Sequence, residues 1–241
     1  MRNIIGFGNQ KLEYYKDILI KANKGLHEDI FVEISKVLPR GAKILDFGCG
    51  EGALSLRLKD NGYDVVAVDM NKEDFKPKNI EFIQLDFNNS IVVKEFTDTY
   101  REKFDLVLGI EVIEHLHNPW AYIANLKEFV KTDGFILVTT PNITSWLSRL
   151  KFLFTGVLHS FSDHDVRTSG HITPIHESLL KLIFNYENVE LCTIKSVGTL
   201  PKIWLAFSPV HTTYNILSLI LRPFTKGRYD GYCILALGKK L

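Results

Sequence analysis

The stretch Lys43–Gly52, with the sequence KILDFGCGEG, constrains the fold of this chain more than any other. Its apolar residues suit a strand that is covered on both faces, as strands of parallel sheets are. The glycines that follow, Gly48, Gly50 and Gly52, predict a tight turn, because glycine permits positive φ and lets a ligand approach the backbone without meeting a Cβ. The next residues, ALSLRLKD, favour a helix that ends at Asn61. The N-terminus of such a helix favours a ligand with an anionic or carboxylate group.

The glycine turn fits two classes of binding protein, one that binds a dinucleotide and one that binds a ligand with an amino group. Gly48, Gly50 and Ala53 satisfy the G-x-G-x-x-G/A pattern of dinucleotide-binding folds, and Asp69 follows at the expected distance of about 20 residues. Asp46 separates the two interpretations, because a carboxylate just before the first glycine would repel a pyrophosphate but could hold an amino group. This favours a ligand with an ammonium group, such as S-adenosylmethionine.

At these residues the chain resembles the class I S-adenosylmethionine-dependent methyltransferases, whose first motif is hhDxGxGxG. The resemblance runs over about residues 28–197 and resumes at 231–238, through the segments LDFGCGEG, VVAVDM, IEFIQLDF, FDLVLGIEVIEHL and ILVTTPN. It implies an α/β fold: a doubly wound, Rossmann-like, seven-stranded and mostly parallel sheet with helices on both faces and an antiparallel last strand. We expect one such domain over residues 1–241, with apolar insertions at about 143–161 and 198–229, and S-adenosyl-L-methionine as its cofactor.

Composition and charge set the broad class. A chain of 241 residues that is 46% hydrophobic and 24% charged describes one α/β domain with modest insertions. A net charge of +1 provides no global field that would recruit nucleic acid, although a local patch stays open. Three widely spaced cysteines without a CxxC pair indicate a reducing compartment and argue against a zinc knuckle. Because the first residues also lack the apolar core of a signal peptide, we expect a cytoplasmic protein.

Carboxylates at the ends of predicted strands supply the expected donor site. Asp69 ends the second predicted strand and can accept both ribose hydroxyls, its alternative being a helix cap. By resemblance, Asp86 at the end of the third accepts from the adenine amino group, with Met70 and Phe87 on either side of the ring; its alternative is a turn cap. The expected cofactor-binding residues are Asp46, Gly48, Cys49, Gly50, Gly52, Asp69, Met70, Asp86, Phe87 and Glu111.

Glu111, Glu114 and His115 follow the fourth predicted strand. On one helical turn, the spacing i, i+3 and i+4 puts all three side chains on one face. Two carboxylates beside an imidazole need a charge-balancing partner, for which a divalent cation is the natural candidate. We expect Glu114 and His115 to be catalytic.

The EVIEH segment resembles the quinone-biosynthesis O-methyltransferases and the small-RNA 2′-O-methyltransferases, whose metal sites use a Glu-x-x-Glu-His turn. In the RNA group a later histidine completes the site, and His171 matches it. The resemblance therefore implies a Mg²⁺ or Mn²⁺ site made of Glu111, Glu114, His115 and His171. The alternative is that His115 acts alone as a general base near its ordinary pKa of about 6.5.

Helical patterns and apolar insertions complete the prediction. Residues 9–38 carry two helical patterns, of which residues 30–38 are the clearer. The first insertion, ITSWLSRLKFLFTGVLHSF, has an apolar stripe at helical spacing, which fits packing on the domain, a lid, or a surface that lies on a bilayer. The second is interrupted by polar residues and proline, so we do not expect it to span a membrane. We expect both to lie close together at the acceptor opening.

The two insertions favour a small apolar or lipid-linked acceptor, of the quinone, lipid or saccharide type, that is methylated on oxygen. They also predict peripheral contact with the inner face of a membrane. Methylation of RNA is the first alternative, although no basic surface or guide-binding module supports it. A non-catalytic module that binds S-adenosylmethionine and a dehydrogenase on a dinucleotide fold are the others.

Overall fold

The computed structural model describes residues 12–87, 89–200, 213, 216–217 and 219–241. A two-stranded hairpin comes first, made of β1 (Tyr14–Tyr15) and β2 (Ile18–Leu19). The main sheet has seven strands, β3 (Lys43–Phe47), β4 (Asp64–Asp69), β5 (Glu81–Gln84), β6 (Phe104–Ile110), β7 (Val130–Pro141), β8 (Val189–Val197) and β9 (Cys233–Lys240). The helices are α1 (Leu26–Val37), α2 (Ala53–Asp60), α3 (Ser90–Tyr100), α4 (Pro119–Phe129), α5 (Trp146–Thr155), α6 (Asp163–Ser169) and α7 (Glu177–Tyr186).

The main sheet has the order β5-β4-β3-β6-β7-β9-β8. Strands β5, β4, β3, β6 and β7 pair in parallel. The last strand, β9, lies between β7 and β8 and is antiparallel to both. The predicted fold class is therefore confirmed, including the direction of the last strand. The strand order of the main sheet reverses beside β3. At such a point, ligands of open α/β sheets bind at the carboxyl ends of the strands.

The sheet is covered on both faces, and the period of two along each strand decides which residue faces which helices. Ile44 packs with α1 and α2, whereas its neighbour Leu45 packs in the cluster that contains residues of α3, α4 and α7. Phe47 continues the second face and contacts Phe87 and Phe129. Both faces of β3 are thus buried, as its run of apolar residues predicts.

Two element predictions differ from the structure. The first helical pattern is wrong, because residues 14–19 form the hairpin, whose turn places Lys16 at φ 54°. Tyr15 of the hairpin packs near α2 and donates a hydrogen bond to Asp60, so tertiary contacts override the weak helical period. The third predicted strand ends at Gln84, two residues before Asp86.

The first insertion forms α5, as its apolar stripe predicts. Trp146, Leu147 and Leu150 are buried and pack against Leu217 and Tyr229 of the second insertion. The expected proximity of the two insertions is thus confirmed for the described residues. Ile203, Trp204, Leu205 and Phe207 of the second insertion lie outside them. Within the described ranges, no helix combines the length and the apolarity needed to cross a bilayer.

Candidate functional site

A cavity of about 660 Å³ opens at the carboxyl ends of β3 and β6. One wall is the glycine turn with Asp46. A second part of the lining contains Glu111, His115 and His171, and a third comes from the segment between the hairpin and α1 together with His27. This volume lies within the range of small-molecule and cofactor sites. The cavity therefore brings together part of the expected donor site, Asp46 and the glycine turn, with His115 and His171 of the expected acceptor side.

The glycines of the turn have different roles. A Cβ built on Gly50 would meet nothing within 4 Å, and its φ is 53°, so this residue presents open backbone to the cavity. A Cβ on Gly52 would lie 2.5 Å from a ring atom of Phe75, so that glycine is required by packing. Asp69 accepts a hydrogen bond of 2.8 Å from the Gly50 N–H and thereby holds the turn from β4. Of these two glycines, Gly50 is therefore the one whose backbone a ligand can approach closely.

Asp46 is 2% exposed and lines the cavity. Burial raises its pKa to about 6, and the nearby Asp69 charge adds to this, while the Ser55 hydroxyl, which donates to Asp46 at 2.5 Å, opposes it. The carboxylate is therefore costly when no cation faces it. Cys49 beside it is no nucleophile, because burial first and these two acids next raise the pKa of its thiol.

The remaining residues expected at the donor lie outside the cavity lining. Met70 is 47% exposed, and Asp86 is also exposed. The Phe87 ring stacks on Phe47 with a centroid distance of 4.4 Å, so part of it is already covered by protein. Asp69 reaches the lining through the Gly50 backbone.

Glu111 departs from the predicted helical turn. It has φ 54°, and the 3₁₀ turn begins only at Ile113, so Glu111 does not share a helical face with Glu114 and His115. The physical reason is Thr139 of β7, whose hydroxyl accepts from the Glu111 N–H at 3.0 Å and donates to its carboxylate at 3.1 Å. Burial raises the pKa of Glu111 to about 7, against the effect of hydrogen bonds with Cys233 and Thr139.

Glu114 is fully buried, and neither of its carboxylate oxygens has a hydrogen-bond partner among the described residues. Burial first and Glu111 next raise its pKa well above the ordinary range, while the nearby Glu114 backbone and Thr140 hydroxyl, which does not reach hydrogen-bond geometry, oppose the shift. The backbone carbonyl of Glu114 accepts from the N–H groups of Ile172 and Thr173 at 3.0 and 2.9 Å. These two bonds bring the His171 loop to the 3₁₀ turn.

His115 and His171 face each other edge to face, with ring centroids 4.8 Å apart. His171 Nδ1 lies 2.9 Å from the carbonyl oxygen of Ser160. Because a carbonyl only accepts, Nδ1 carries a proton and donates a hydrogen bond to Ser160, which leaves Nε2 as the ring nitrogen that can face a ligand. Burial first and His171 next lower the pKa of His115, so its ring is neutral at pH 7.

Glu114, His115 and His171 each offer one ligand atom, and these atoms lie within 4.8 Å of one another. The group contains three of the four residues predicted for a metal, and Glu111 is not part of it. A buried carboxylate without partners and an imidazole with a fixed tautomer are the groups that a cation would satisfy.

Sequence reasoning missed several residues of the site. Ser160 has φ 68°, holds His171 with its carbonyl and places its hydroxyl 3.2 Å from that of Tyr232. No motif marks this contact, because it depends on a left-handed residue after α5. Tyr232, Ser169, His27 and residues 21–24 line the cavity, and they reach it only through the packing of distant segments.

The sequence profile of a family described as "Methyltransferase domain" matches residues 21–191. The chain therefore belongs to this methyltransferase family, and the predicted family is confirmed.

Proteins named ubiquinone biosynthesis O-methyltransferase are similar to part of the chain. One from Cereibacter sphaeroides is 34% identical over 118 residues, which cover 46% of each chain. One from Actinobacillus pleuropneumoniae is 33% identical over 111 residues, or 43% of this chain and 47% of the relative. The chain thus spans less than half the length of these relatives.

Solved structures share the fold. A SAM-dependent methyltransferase from Archaeoglobus fulgidus aligns with a TM-score of 0.58 at 19% identity, over 89% of this chain and 94% of the other. A structure described as SAM-dependent methyltransferases from Methanosarcina mazei aligns with a TM-score of 0.57 at 18% identity, over 87% of this chain and 97% of the other. At this identity the likeness describes the architecture alone.

Proposed function

We propose that this protein is an S-adenosylmethionine-dependent methyltransferase that methylates oxygen on a small, apolar or lipid-linked acceptor. The observation that carries the proposal is that one cavity is lined by the open glycine turn and Asp46 as well as by His115 and His171. A methyl donor and its acceptor must meet in line in such a space, so positioning supplies much of the catalysis.

Donor binding is assigned to the first wall. Asp46 is a buried carboxylate without a cation, and the donor's ammonium group would supply one, directly or through water. Gly50 offers open backbone, and Asp69 would share its oxygens between the Gly50 N–H and the ribose hydroxyls. Asp86 is proposed for the adenine amino group, with Met70 and Phe87 at the ring.

The acceptor is assigned to the second wall. His115 is neutral at pH 7 and lies in the cavity, so in the alternative without a metal ion it can take the proton of a hydroxyl as the methyl group arrives. The printed name of the similar proteins, ubiquinone biosynthesis O-methyltransferase, supports an oxygen acceptor on an apolar molecule. A cytoplasmic protein in peripheral contact with the membrane would meet such an acceptor where it resides.

We further propose that Glu114, His115 and His171 hold Mg²⁺ or Mn²⁺. The fit rests on the buried Glu114 oxygens without partners and on His171, whose Nδ1 is held by Ser160. When bound, the cation would lower the pKa of the acceptor's hydroxyl and orient it. Glu111 would stay with Thr139 beside the group.

The decisive experiment is a product screen with labelled S-adenosylmethionine. Phenols and quinols, lipid-linked saccharides, lipids and RNA would each be offered to the full chain. We expect label in an apolar hydroxyl acceptor, and loss of transfer in His115→Ala with donor binding retained. Label in RNA alone would contradict the acceptor class. S-adenosylhomocysteine binding without transfer to any cell extract would favour the non-catalytic module.

The metal is tested separately by calorimetric titration with Mn²⁺ after metal removal. We expect His171→Ala to weaken Mn²⁺ binding by tenfold or more, whereas His164→Ala, on the exposed face of α6, leaves it unchanged. EDTA should abolish transfer, and Mn²⁺ or Mg²⁺ should restore it. Full transfer after exhaustive metal removal would leave His115 as a base without a cation.

A further inference from the structure

Large apolar side chains are exposed on the two insertions. On α5, Phe152, Leu153 and Phe154 are 52%, 68% and 56% exposed. On the second insertion, Ile220 and Phe224 are 58% and 83% exposed. We call this set, together with Ile216, Leu219 and Leu221, the insertion face. Contiguous exposed apolar surface marks an interaction site more often than scattered residues do.

The two parts of the insertion face belong to one packed unit. The Trp146 N–H donates to the Tyr229 carbonyl at 2.9 Å, and Leu217 packs on the buried side of α5. Arg149 of α5 donates to the Lys226 carbonyl at 2.6 Å, and its guanidinium lies over the Tyr229 ring. The exposed side chains of the insertion face are therefore carried by two segments that pack against each other.

The charge around this surface has one dominant sign. The sequence contains no acidic residue between Asp133 and Asp163, and none between Glu190 and Asp230. Among the described residues, the cations Arg149, Lys151 and Lys226 form no ion pair with a carboxylate. Arg222 and Arg228 of the second insertion are exceptions, because they pair with Asp230 and Glu177.

We propose that the insertion face docks on the surface of an anionic bilayer. Phenylalanine and leucine side chains enter the boundary between headgroups and acyl chains, while neighbouring lysine and arginine side chains meet the lipid phosphates. An apolar partner protein would not by itself account for the lack of acidic residues. The inference deepens the proposed function, on which it rests only for the identity of the acceptor.

The docked surface is connected to the candidate site through the chain itself. Helix α5 ends at Gly156, and four residues later Ser160 binds His171. The Ser160 hydroxyl also contacts that of Tyr232, which lines the cavity. Docking would therefore place the acceptor wall next to the bilayer, where a lipid-linked hydroxyl resides.

The test is co-sedimentation of the full chain with vesicles of phosphatidylcholine alone or mixed with phosphatidylglycerol. We expect binding to the mixed vesicles that weakens with added salt. Leu153→Ser should reduce it about tenfold, through the loss of apolar burial. Lys226→Ala should reduce it about fivefold, the factor expected for one basic residue near an anionic surface.

The matched control is Leu182→Ser, because Leu182 is an apolar residue of α7 with 54% exposure. It should bind vesicles like the unchanged protein. Equal losses in Leu182→Ser and Leu153→Ser, or no binding to anionic vesicles, would overturn the docking surface. A dimer in solution that Leu153→Ser dissociates would overturn it in favour of self-association.

S-adenosylhomocysteine binding, measured on the same preparations, separates this inference from the proposed function. Binding of S-adenosylhomocysteine without vesicle binding leaves the proposed function standing and removes the docking surface. Vesicle binding without S-adenosylhomocysteine binding supports the docking surface and contradicts the proposed function.

Discussion

The buried carboxylate of Asp46 lowers the stability of the ligand-free protein, and the same carboxylate is proposed to bind the ammonium group of the donor. Its folded pKa of about 6 exceeds the ordinary 3.8, so the native state holds this proton more tightly than the unfolded chain does. The protonated Asp46 carboxyl therefore favours the folded state, fully below about pH 4, and this contribution is lost as the pH rises to about 6. At pH 7 the ligand-free protein therefore carries a penalty of about 3 kcal/mol, at 1.36 kcal/mol per pKa unit.

Asp46→Asn should remove most of that penalty. We expect the free energy of unfolding of the ligand-free protein to rise by about 1–3 kcal/mol at pH 7, with little gain at pH 4. Denaturant titrations at both pH values measure this, and the exposed Asp74→Asn is the control. The same variant should lose S-adenosylhomocysteine binding. A variant that is less stable at pH 7 would contradict this explanation.

Asp69→Ala should weaken binding of S-adenosylmethionine by about 1–3 kcal/mol, the cost of leaving buried polar groups without partners. Asp69 holds the Gly50 N–H and is proposed to hold the ribose hydroxyls, so both the turn and the ligand lose a partner. Calorimetry measures the change. Asp74→Ala, in the adjoining 3₁₀ turn, provides the comparison. Undiminished affinity in Asp69→Ala would remove this residue from the donor site.

At this scale, sequence predicted residues whose role follows from the end of a strand. Asp46 and Asp69 lie where the strand and turn pattern puts them. The sequence does not predict the position of Glu111, because the Thr139 hydroxyl that holds this residue outside the helical turn is 28 residues away. His171 was found by resemblance, but its tautomer depends on the Ser160 carbonyl, which no local pattern indicates.

At the scale of elements, two glycines at helix ends form a matched pair. Gly156 ends α5 at φ 69° and Gly170 ends α6 at φ 73°, so alanine at either should cost about 1–2 kcal/mol of backbone strain. A Cβ on Gly170 would lie 3.4 Å from His115 Nδ1, whereas one on Gly156 meets nothing within 4 Å.

We therefore expect Gly170→Ala and Gly156→Ala to lose similar stability in denaturant titrations, with only Gly170→Ala affecting His115. The added methyl group would shield Nδ1 from water and lower the pKa of His115 further, since desolvation disfavours the charged ring. NMR titration of the His115 ring measures this. Equal His115 titration in both variants would show that Gly170 has no role beyond the helix end.

Element predictions succeeded where burial imposes a strong period and failed where it does not. The apolar run of β3 matches the structure because it is fully buried. The stripe of α5 matches it over Trp146, Leu147 and Leu150, which are buried, but not over the exposed Leu153 and Phe154. The pattern at residues 14–19 predicts a helix, but these residues form the hairpin. Two-residue strands are too short to show a hydrophobic period, and Tyr15 is held by α2. A pattern that short cannot outweigh tertiary contacts.

At the scale of the whole molecule, the donor should stabilise the native state. S-adenosylhomocysteine at 100 times its dissociation constant should raise the free energy of unfolding by about 2.7 kcal/mol, because it binds only the folded chain. NAD at the same concentration should have no effect, since Asp46 repels its pyrophosphate. Denaturant titrations with each ligand measure the difference. Stabilisation by NAD instead would favour the dehydrogenase alternative.

The position of β9 has a consequence for the order of folding. This strand is synthesised after the other sheet strands, yet it lies between β7 and β8. While the ribosome is still making residues 198–232, the parallel strands on the donor side can already assemble, but β7 presents an unpaired edge and β8 has no neighbour within the sheet. An open edge of this kind invites pairing with other chains. The acceptor wall, which needs Tyr232 beside Ser160, is completed only when β9 pairs with β7 and β8.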